Sequence, residues 1–501
     1  MQSLAATVFL TLPWLNPFSP GPMPAVVPWL VSLACFALFL PFAPRIAVAR
    51  VASASWLTAA LLSAVIGLLQ YLGAADALTP WLNHTAIGEA YANLRQRNQF
   101  ATLSNIGLAA LLWGLARDAG SSTRWYGVGA VLLSAGNAAS SSRTGLVQLL
   151  LLGALFWLWR RRDAIGARPA PWRVLHAALL AYAGAALALP LLIGQDPLAS
   201  GILARLHDGG PDCSNRLTLW SNVLHLIAQK PWLGWGWGEL DYAHFITLYP
   251  GARFCEILDN AHNLPLHLAV ELGAPVAIAA CAAAAWAVWR ARPWDETDPR
   301  RRMAWAVLSV IALHSMLEYP LWYGPFQIAL LLSLWILWRR DPAPCGHMRR
   351  MTAHSSALAA VVLIAATAYA GRDYHRISQI YLNPAQRLER YRENTLEKIS
   401  DSRLFRDTVS FARLTTSDLT LGNAAEIHTL AEEMLHFSPE PRVIEKLIES
   451  ATLLGHTEEA LFYLQRYRAA FEQAYAHWAK ENATLQADDL RLTGPIDAPE
   501  R

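Results

Sequence analysis

The stretch SASWLTAALLSAVIGLLQYLGA, residues 53–74, runs for 22 residues without a charged side chain. As an α-helix it measures about 33 Å, enough to cross the roughly 30 Å hydrocarbon core of a bilayer. Working outward from it, further apolar runs, cut by charges or Gly/Pro clusters, lie near 3–16, 24–42, 99–116, 125–140, 144–159, 174–194, 262–289, 303–319, 322–338 and 353–371. The chain is therefore expected to be an all-α polytopic membrane protein of about 11 transmembrane helices. The first segment is short and broken by Pro13, and a cleaved signal peptide is its competing reading, disfavoured because a basic leader is missing. Composition agrees: of 501 residues, 54% are apolar and 16% charged, against roughly 25% charged in a soluble domain. A soluble cytosolic enzyme is excluded, and a net charge of +3 gives nucleic-acid binding no support.

Lys and Arg crowd the alternate loops 43–52, 117–124, 160–173, 290–302 and 339–352, which hold 18 of them, including Arg160-Arg161-Arg162, Arg300-Arg301-Arg302 and Arg339-Arg340. By the positive-inside rule these loops are cytoplasmic. The segment 195–261, with four such residues in 67, is then an outer loop. With the N-terminus inside, 11 spans put the tail outside as well. The expected domains are a membrane domain over 1–371, containing outer loop 195–261, and a soluble helical domain over 372–501. In the tail, apolar residues at helical spacing over 423–437, 442–454 and 458–478, with turns at Pro439 and Gly455, resemble stacked tetratricopeptide-like (TPR-like) helix pairs. An irregular helical bundle is the alternative.

Of five cysteines, Cys35 and Cys281 fall in spans and Cys345 in a cytoplasmic loop, while Cys213 and Cys255 share the outer loop. An envelope compartment permits a disulfide between that last pair. Polar residues at span ends are costly unless used. They gather at 94–100, 140–148, 215–220, 259–263 and 314–323, and the topology puts all five clusters on the outward side, which points to one shared site. Arginine forks there suit phosphate or pyrophosphate, and a histidine takes up a proton near neutral pH. A lipid-linked pyrophosphate donor would fit. The competing readings are a snorkelling arginine for Arg143, a salt bridge to Asp212 for Arg216, and buried structural roles for His267 and His314.

His262-Asn263, nine residues and then Gly273 resemble the histidine signature of O-antigen ligases. Asn215-Arg216…Trp220…Lys230-Pro231-Trp232-Leu233-Gly234-Trp235-Gly236 resembles the outer loop of the O-antigen ligase/polymerase superfamily. Arg97-Asn98-Gln99-Phe100-Ala101-Thr102, Ser141-Ser142-Arg143-Thr144-Gly145 and Glu318-Tyr319-Pro320-Leu321 look like the pilin-glycosylating branch, the bacterial protein O-oligosaccharyltransferases of the PglL type. Val276 departs from the ligase signature, which often has a small residue or Tyr there.

The resemblance implies a GT-C-like enzyme of the bacterial inner membrane with its active site facing the periplasm. It would move a glycan from undecaprenyl diphosphate, with inversion, to Ser/Thr hydroxyls of a pilin-like protein. O-antigen ligase or polymerase is the alternative within the enzyme class; a lipid-linked glycan flippase and a non-catalytic scaffold are the alternatives outside it. His262 would be the base, with Arg143 and Arg216 holding the pyrophosphate. Asp259 and Asn263 would orient the imidazole, and Arg97, Gln99, Gln148, Tyr319 and Tyr323 would contact glycan, acceptor or phosphate. The apolar spans would accommodate the polyprenyl tail among membrane lipids. The resemblance further implies that the transfer is metal-independent, so neither metal nor cofactor is expected, and the sequence displays no acidic metal-ligand cluster.

Overall fold

The computed structural model describes residues 1–117, 123–161, 170–207, 212–339 and 346–492. Arg162, Arg168 and Arg340 of the arginine-rich loops, and Cys345, lie outside them. Among the described residues the chain is helical throughout, with no strand. Among the described residues, five helices are both long and apolar enough to cross a membrane: Val48–Tyr71, Arg97–Arg117, Pro171–Leu192, Ala274–Asp295 and Ala353–Tyr381. Gln2–Leu15, Val26–Phe39 and Gly324–Trp338 are shorter apolar helices.

Packing divides the chain into two compact units. The first comprises Met1–Gly209, His262–Leu264 and Cys281–Tyr381; the second comprises Gly210–Ala261, Pro265–Ala280 and Leu382–Arg501. The composition break at residue 372 thus does not coincide with the packing boundary, since 210–261 groups with the tail.

In the first unit the helix Arg97–Arg117 is buried along nearly its whole length. Small side chains let its neighbours approach closely, the usual device where lipid removes any hydrophobic drive between helices. A Cβ on Gly107 would come within 2.3 Å of the Ala60 Cβ. At one end of this unit arginine guanidiniums cover tryptophan rings: Arg117 over Trp113 at 5.0 Å, Arg161 over Trp157 at 3.6 Å and Arg339 over Trp335 at 5.1 Å. Such amphipathic pairs suit a headgroup boundary. The opposite ends of the same helices carry the polar clusters.

The run 262–289, expected as one span, is two helices, Leu264–Leu272 and Ala274–Ala291. Gly273 separates them with φ +89°. The cause is the docking of 230–236. Trp235 N–H donates to the Val270 carbonyl (2.8 Å), Gly236 N–H to Glu271 (3.0 Å), and Ala274 N–H to Pro231 (2.8 Å). The first two bonds take carbonyls, and the third an N–H, that a continuous helix would have used. A side chain at 273 would run into the Trp232 carbonyl at 2.2 Å.

The second unit stacks Arg406–Thr416, Ala424–Leu435, Pro441–Leu453, Thr457–Ala470 and Glu472–Leu492. The helix expected over 458–478 breaks at Phe471, which packs with Tyr467 into the unit's core. That core also takes Phe245 from the short helix Leu240–Ile246. His436 Nδ1 contacts Glu239 at 2.6 Å, and Arg466 donates to the Ile246 carbonyl at 2.7 Å.

Burial pushes the Asp241 carboxyl up to about 7, with Asp259 and Glu239 adding repulsion and a hydrogen bond from the Tyr242 N–H opposing. A raised folded value means that the native state holds a proton the unfolded chain has lost. Its stabilising contribution is full below the unfolded value near 4 and disappears as pH rises through about 7. Asp241→Asn should therefore flatten the fall in this unit's melting temperature between pH 5 and pH 8, read by calorimetry. An unchanged slope would remove Asp241 from the account.

Cys213 and Cys255 are disulfide-bonded with Cα atoms 5.3 Å apart, and Cys255 N–H donates to the Cys213 carbonyl at 3.2 Å. Closing a loop of this length stabilises by about 4 kcal/mol in the chain-entropy model. Non-reducing peptide maps should recover the two cysteines linked; both alkylated in protein isolated without reductant would refute the bridge.

Candidate active site

The site is assembled in the first unit, where three helix junctions meet. Ser142 caps the helix Arg143–Arg160, its hydroxyl accepting from Gly145 N–H at 2.9 Å. The same hydroxyl donates to Asn98 Oδ1 at 2.6 Å, just inside the helix Arg97–Arg117. Asn98 Nδ2 then donates to Glu318 Oε1 at 3.3 Å. The other carboxylate oxygen, Oε2, meets His262 Nδ1 at 2.8 Å. An unbroken polar chain thus runs from a helix cap to an imidazole.

The dyad is nearly enclosed, the side chains of His262 and Glu318 being 18% and 10% exposed. With Nδ1–H directed at a carboxylate, Nε2 is left as the basic nitrogen. The Tyr319 ring stands edge-on to the imidazole at 4.9 Å and stacks with Tyr323 at 6.0 Å. Asn263 donates to the Met316 carbonyl at 3.0 Å, tying the histidine loop to the turn that carries Glu318. His262 itself has φ +49°, and Ser141 φ +51°. For residues other than Gly this conformation costs of order 1–2 kcal/mol, held here by the surrounding bonds.

Arginines adjoin two members of that polar chain in sequence, Arg97 before Asn98 and Arg143 after Ser142. Arg205 donates to the Ser141 carbonyl at 3.1 Å. Burial, together with the positive charges of Arg97 and Arg143, lowers its proton affinity from the ordinary guanidinium range, with Glu89 opposing. Arg97 is ion-paired with Glu89. Arg143, exposed, occupies the first position of its capped helix, where the macrodipole also favours an anion. Arg205 stands in electrostatic reach of both Arg97 and Arg143, opposed there by Glu89 alone, which makes this a place that suits a polyanion.

Arg216 belongs to the second unit and opens the helix Arg216–Gln229 behind the cap Asn215, which accepts from Thr218 N–H at 2.8 Å. It repeats the local geometry of Arg143. Asp259 is an exposed residue of that same unit. Gln148 is fully buried: its amide donates to Thr102 Oγ1 at 2.9 Å and to the Val310 carbonyl at 3.0 Å, bracing three helices. His314, also fully buried, meets Thr102 Oγ1 at 2.9 Å. Gln99 is buried as well. His267 is buried beside Glu271, 3.5 Å away.

Sequence reasoning assigned no role to Glu318, Asn98, Ser142 or Arg205, although all but Arg205 sat inside clusters it had marked. The overlooked signal is Glu318, a carboxylate closing an apolar span, costlier there than any tyrosine.

Comparison with known proteins gives three family matches in this chain: protein glycosylation ligase over residues 90–113, O-antigen ligase over 128–281, and virulence factor membrane-bound polymerase, C-terminal, over 302–486. A general O-oligosaccharyltransferase of Acinetobacter baylyi is 24% identical over 63% of this chain and 55% of its own length. A ComP-specific O-oligosaccharyltransferase of the same organism is 26% identical over 36% of this chain and 32% of its own length. The chain thus spans about half the length of the first of these relatives and about a third of the second. By these matches, separate parts of the chain are similar to protein glycosylation ligase, to O-antigen ligase and to two O-oligosaccharyltransferases of Acinetobacter baylyi.

Proposed function

We propose that this protein is an oligosaccharyltransferase that moves a glycan from a polyprenyl-pyrophosphate donor, undecaprenyl diphosphate, onto a Ser/Thr hydroxyl of a pilin-like acceptor protein. The observation that carries the reading is the His262–Glu318 dyad, at 2.8 Å, joined through Asn98 and Ser142 to the positions next to Arg97 and Arg143, with Arg205 in electrostatic reach of both arginines. His262 Nε2 takes the acceptor's proton as its oxygen attacks the anomeric carbon from the face opposite the pyrophosphate. The bond from that carbon to the pyrophosphate oxygen breaks with inversion. Glu318 stabilises the imidazolium that forms, and the guanidiniums stabilise charge on the departing pyrophosphate. Arg216 keeps the role the resemblance assigns it, a further fork for pyrophosphate. The proposed roles of Asp259, Asn263, Tyr319 and Tyr323 are contacts around imidazole and substrates. No step in this chemistry calls for a metal ion.

The proposed setting is the bacterial inner membrane, with 11 spans, the site and the tail on the periplasmic side, and a TPR-like tail for protein contacts. Alkaline phosphatase fused after residue 380 should be active; fluorescence from green fluorescent protein at that position in its place would overturn the topology. The function itself is tested with purified protein, lipid-linked glycan and two acceptors, a pilin-like protein and lipid A-core. Mass gain on the protein supports the proposal. Gain on lipid A-core alone favours the ligase reading, which the match to the O-antigen ligase model over 128–281 keeps in play.

A further inference from the structure

A cluster outside the candidate site has its own chemistry. His428 lies on the helix Ala424–Leu435, while His456 occupies the cap position of Thr457–Ala470 and Glu459 the first turn of that helix. One donor atom from each of the three lies within 4.8 Å of the others. Glu459 Oε2 is 3.4 Å from His428 Nε2 and 3.3 Å from His456 Nδ1, so one carboxylate oxygen serves both rings.

Ser450, fully buried, lies against the His428 ring: its hydroxyl is 3.1 Å from the Leu447 carbonyl and 3.4 Å from His428 Nδ1. With Nδ1–H turned to the Ser450 oxygen, Nε2 presents its lone pair to the Glu459 carboxylate, an arrangement that a shared cation would bridge. A proton alone would draw the pair to about 2.7–2.9 Å, the norm for a charge-assisted bond. The observed 3.3 and 3.4 Å are longer, and they match the edge of a zinc tetrahedron, about 3.3 Å for bonds of about 2.0–2.1 Å.

We propose that His428, His456 and Glu459 bind a divalent transition-metal ion, zinc by donor set. Two imidazoles and one carboxylate suit zinc over magnesium or calcium. Ser450 supplies the outer hydrogen bond that orients a metal-bound histidine. His456 is half exposed, so water completes the coordination. The turn is already set for ligation by the Gly455 bend at φ +79° and by the His456 N–H bond to the Ala451 carbonyl at 2.8 Å. The ion fastens one helix of the tail to the start of another two elements later, and the site is independent of the proposed transfer reaction.

The test uses untagged full-length protein in detergent, stripped with EDTA, dialysed and titrated with Zn²⁺ alone by calorimetry, with Co²⁺ absorption as a geometric readout. One ion should bind per chain, with the visible bands of tetrahedral Co²⁺. His456→Ala and Glu459→Gln should each weaken binding at least tenfold. His456 is exposed enough for its variant to fold, and His428→Gln serves as a third check, with circular dichroism confirming its fold. Zn²⁺ should also raise the tail's melting temperature in the wild type and leave it unmoved in His456→Ala. No stoichiometric binding, or binding unaltered by His456→Ala and Glu459→Gln, would overturn the site.

Discussion

Replacing His262 with Ala should cut glycan transfer by about 10²–10⁴-fold, the usual worth of a general base, while membrane abundance stays at the wild-type level. The residue has φ +49°, so Ala keeps the backbone strain that His bears; His262→Gly removes it and gives a fold-neutral control. Both variants should be inactive, and exogenous imidazole should restore part of the activity of the glycine form, which has space for it. Glu318→Gln retains an oxygen for Nδ1–H and removes the charge that supports the imidazolium. Loss of a charged hydrogen bond worth about 1.5–3 kcal/mol predicts a fall of about 10–150-fold. Near-normal transfer by His262→Gly at matched expression would sink the mechanism, whatever became of the family relationship.

Arg205→Ala and Arg143→Ala should each weaken use of the lipid-linked donor by about 10–100-fold, because each removes a charged donor from a developing pyrophosphate. The loss should appear in donor titrations, with acceptor dependence nearly unchanged. Lysine at either position keeps the charge and gives up the planar fork, so Arg143→Lys should recover only part of the activity. Arg205 is the sharper test. Its bond to the Ser141 carbonyl at 3.1 Å makes it a brace as well as a cation. Arg205→Lys separates the two roles: a brace alone predicts impaired stability with normal donor affinity, and that result would remove Arg205 from the donor site. Equal loss toward donor and acceptor in both alanine variants would argue against a pyrophosphate site.

The sequence by itself determined the all-helical membrane character, because apolar runs and charge placement are properties of consecutive residues. The run 53–74 lies within the helix Val48–Tyr71 apart from its last three residues. The polar clusters of the candidate site were also visible, since polarity at a span end is costly wherever the chain folds. Only the tertiary structure decided their partners. His262 and Glu318 are 56 residues apart in sequence, and proximity in sequence had favoured Asp259 and Asn263 for the work that Glu318 is placed to do. Gln148 shows the same dependence on tertiary partners. Polarity in a span marks either a substrate contact or an internal brace, and its bonds to Thr102 and Val310 identify it as a brace. The break at Gly273 was equally hidden, because a glycine in an apolar helix carries no local instruction to stop. The helix ends there because the 230–236 segment donates into its final carbonyls, Trp235 to Val270 and Gly236 to Glu271, contacts between residues 35 positions apart. Hydropathy and capping are local sums, whereas hydrogen-bond partnership depends on which helices lie side by side.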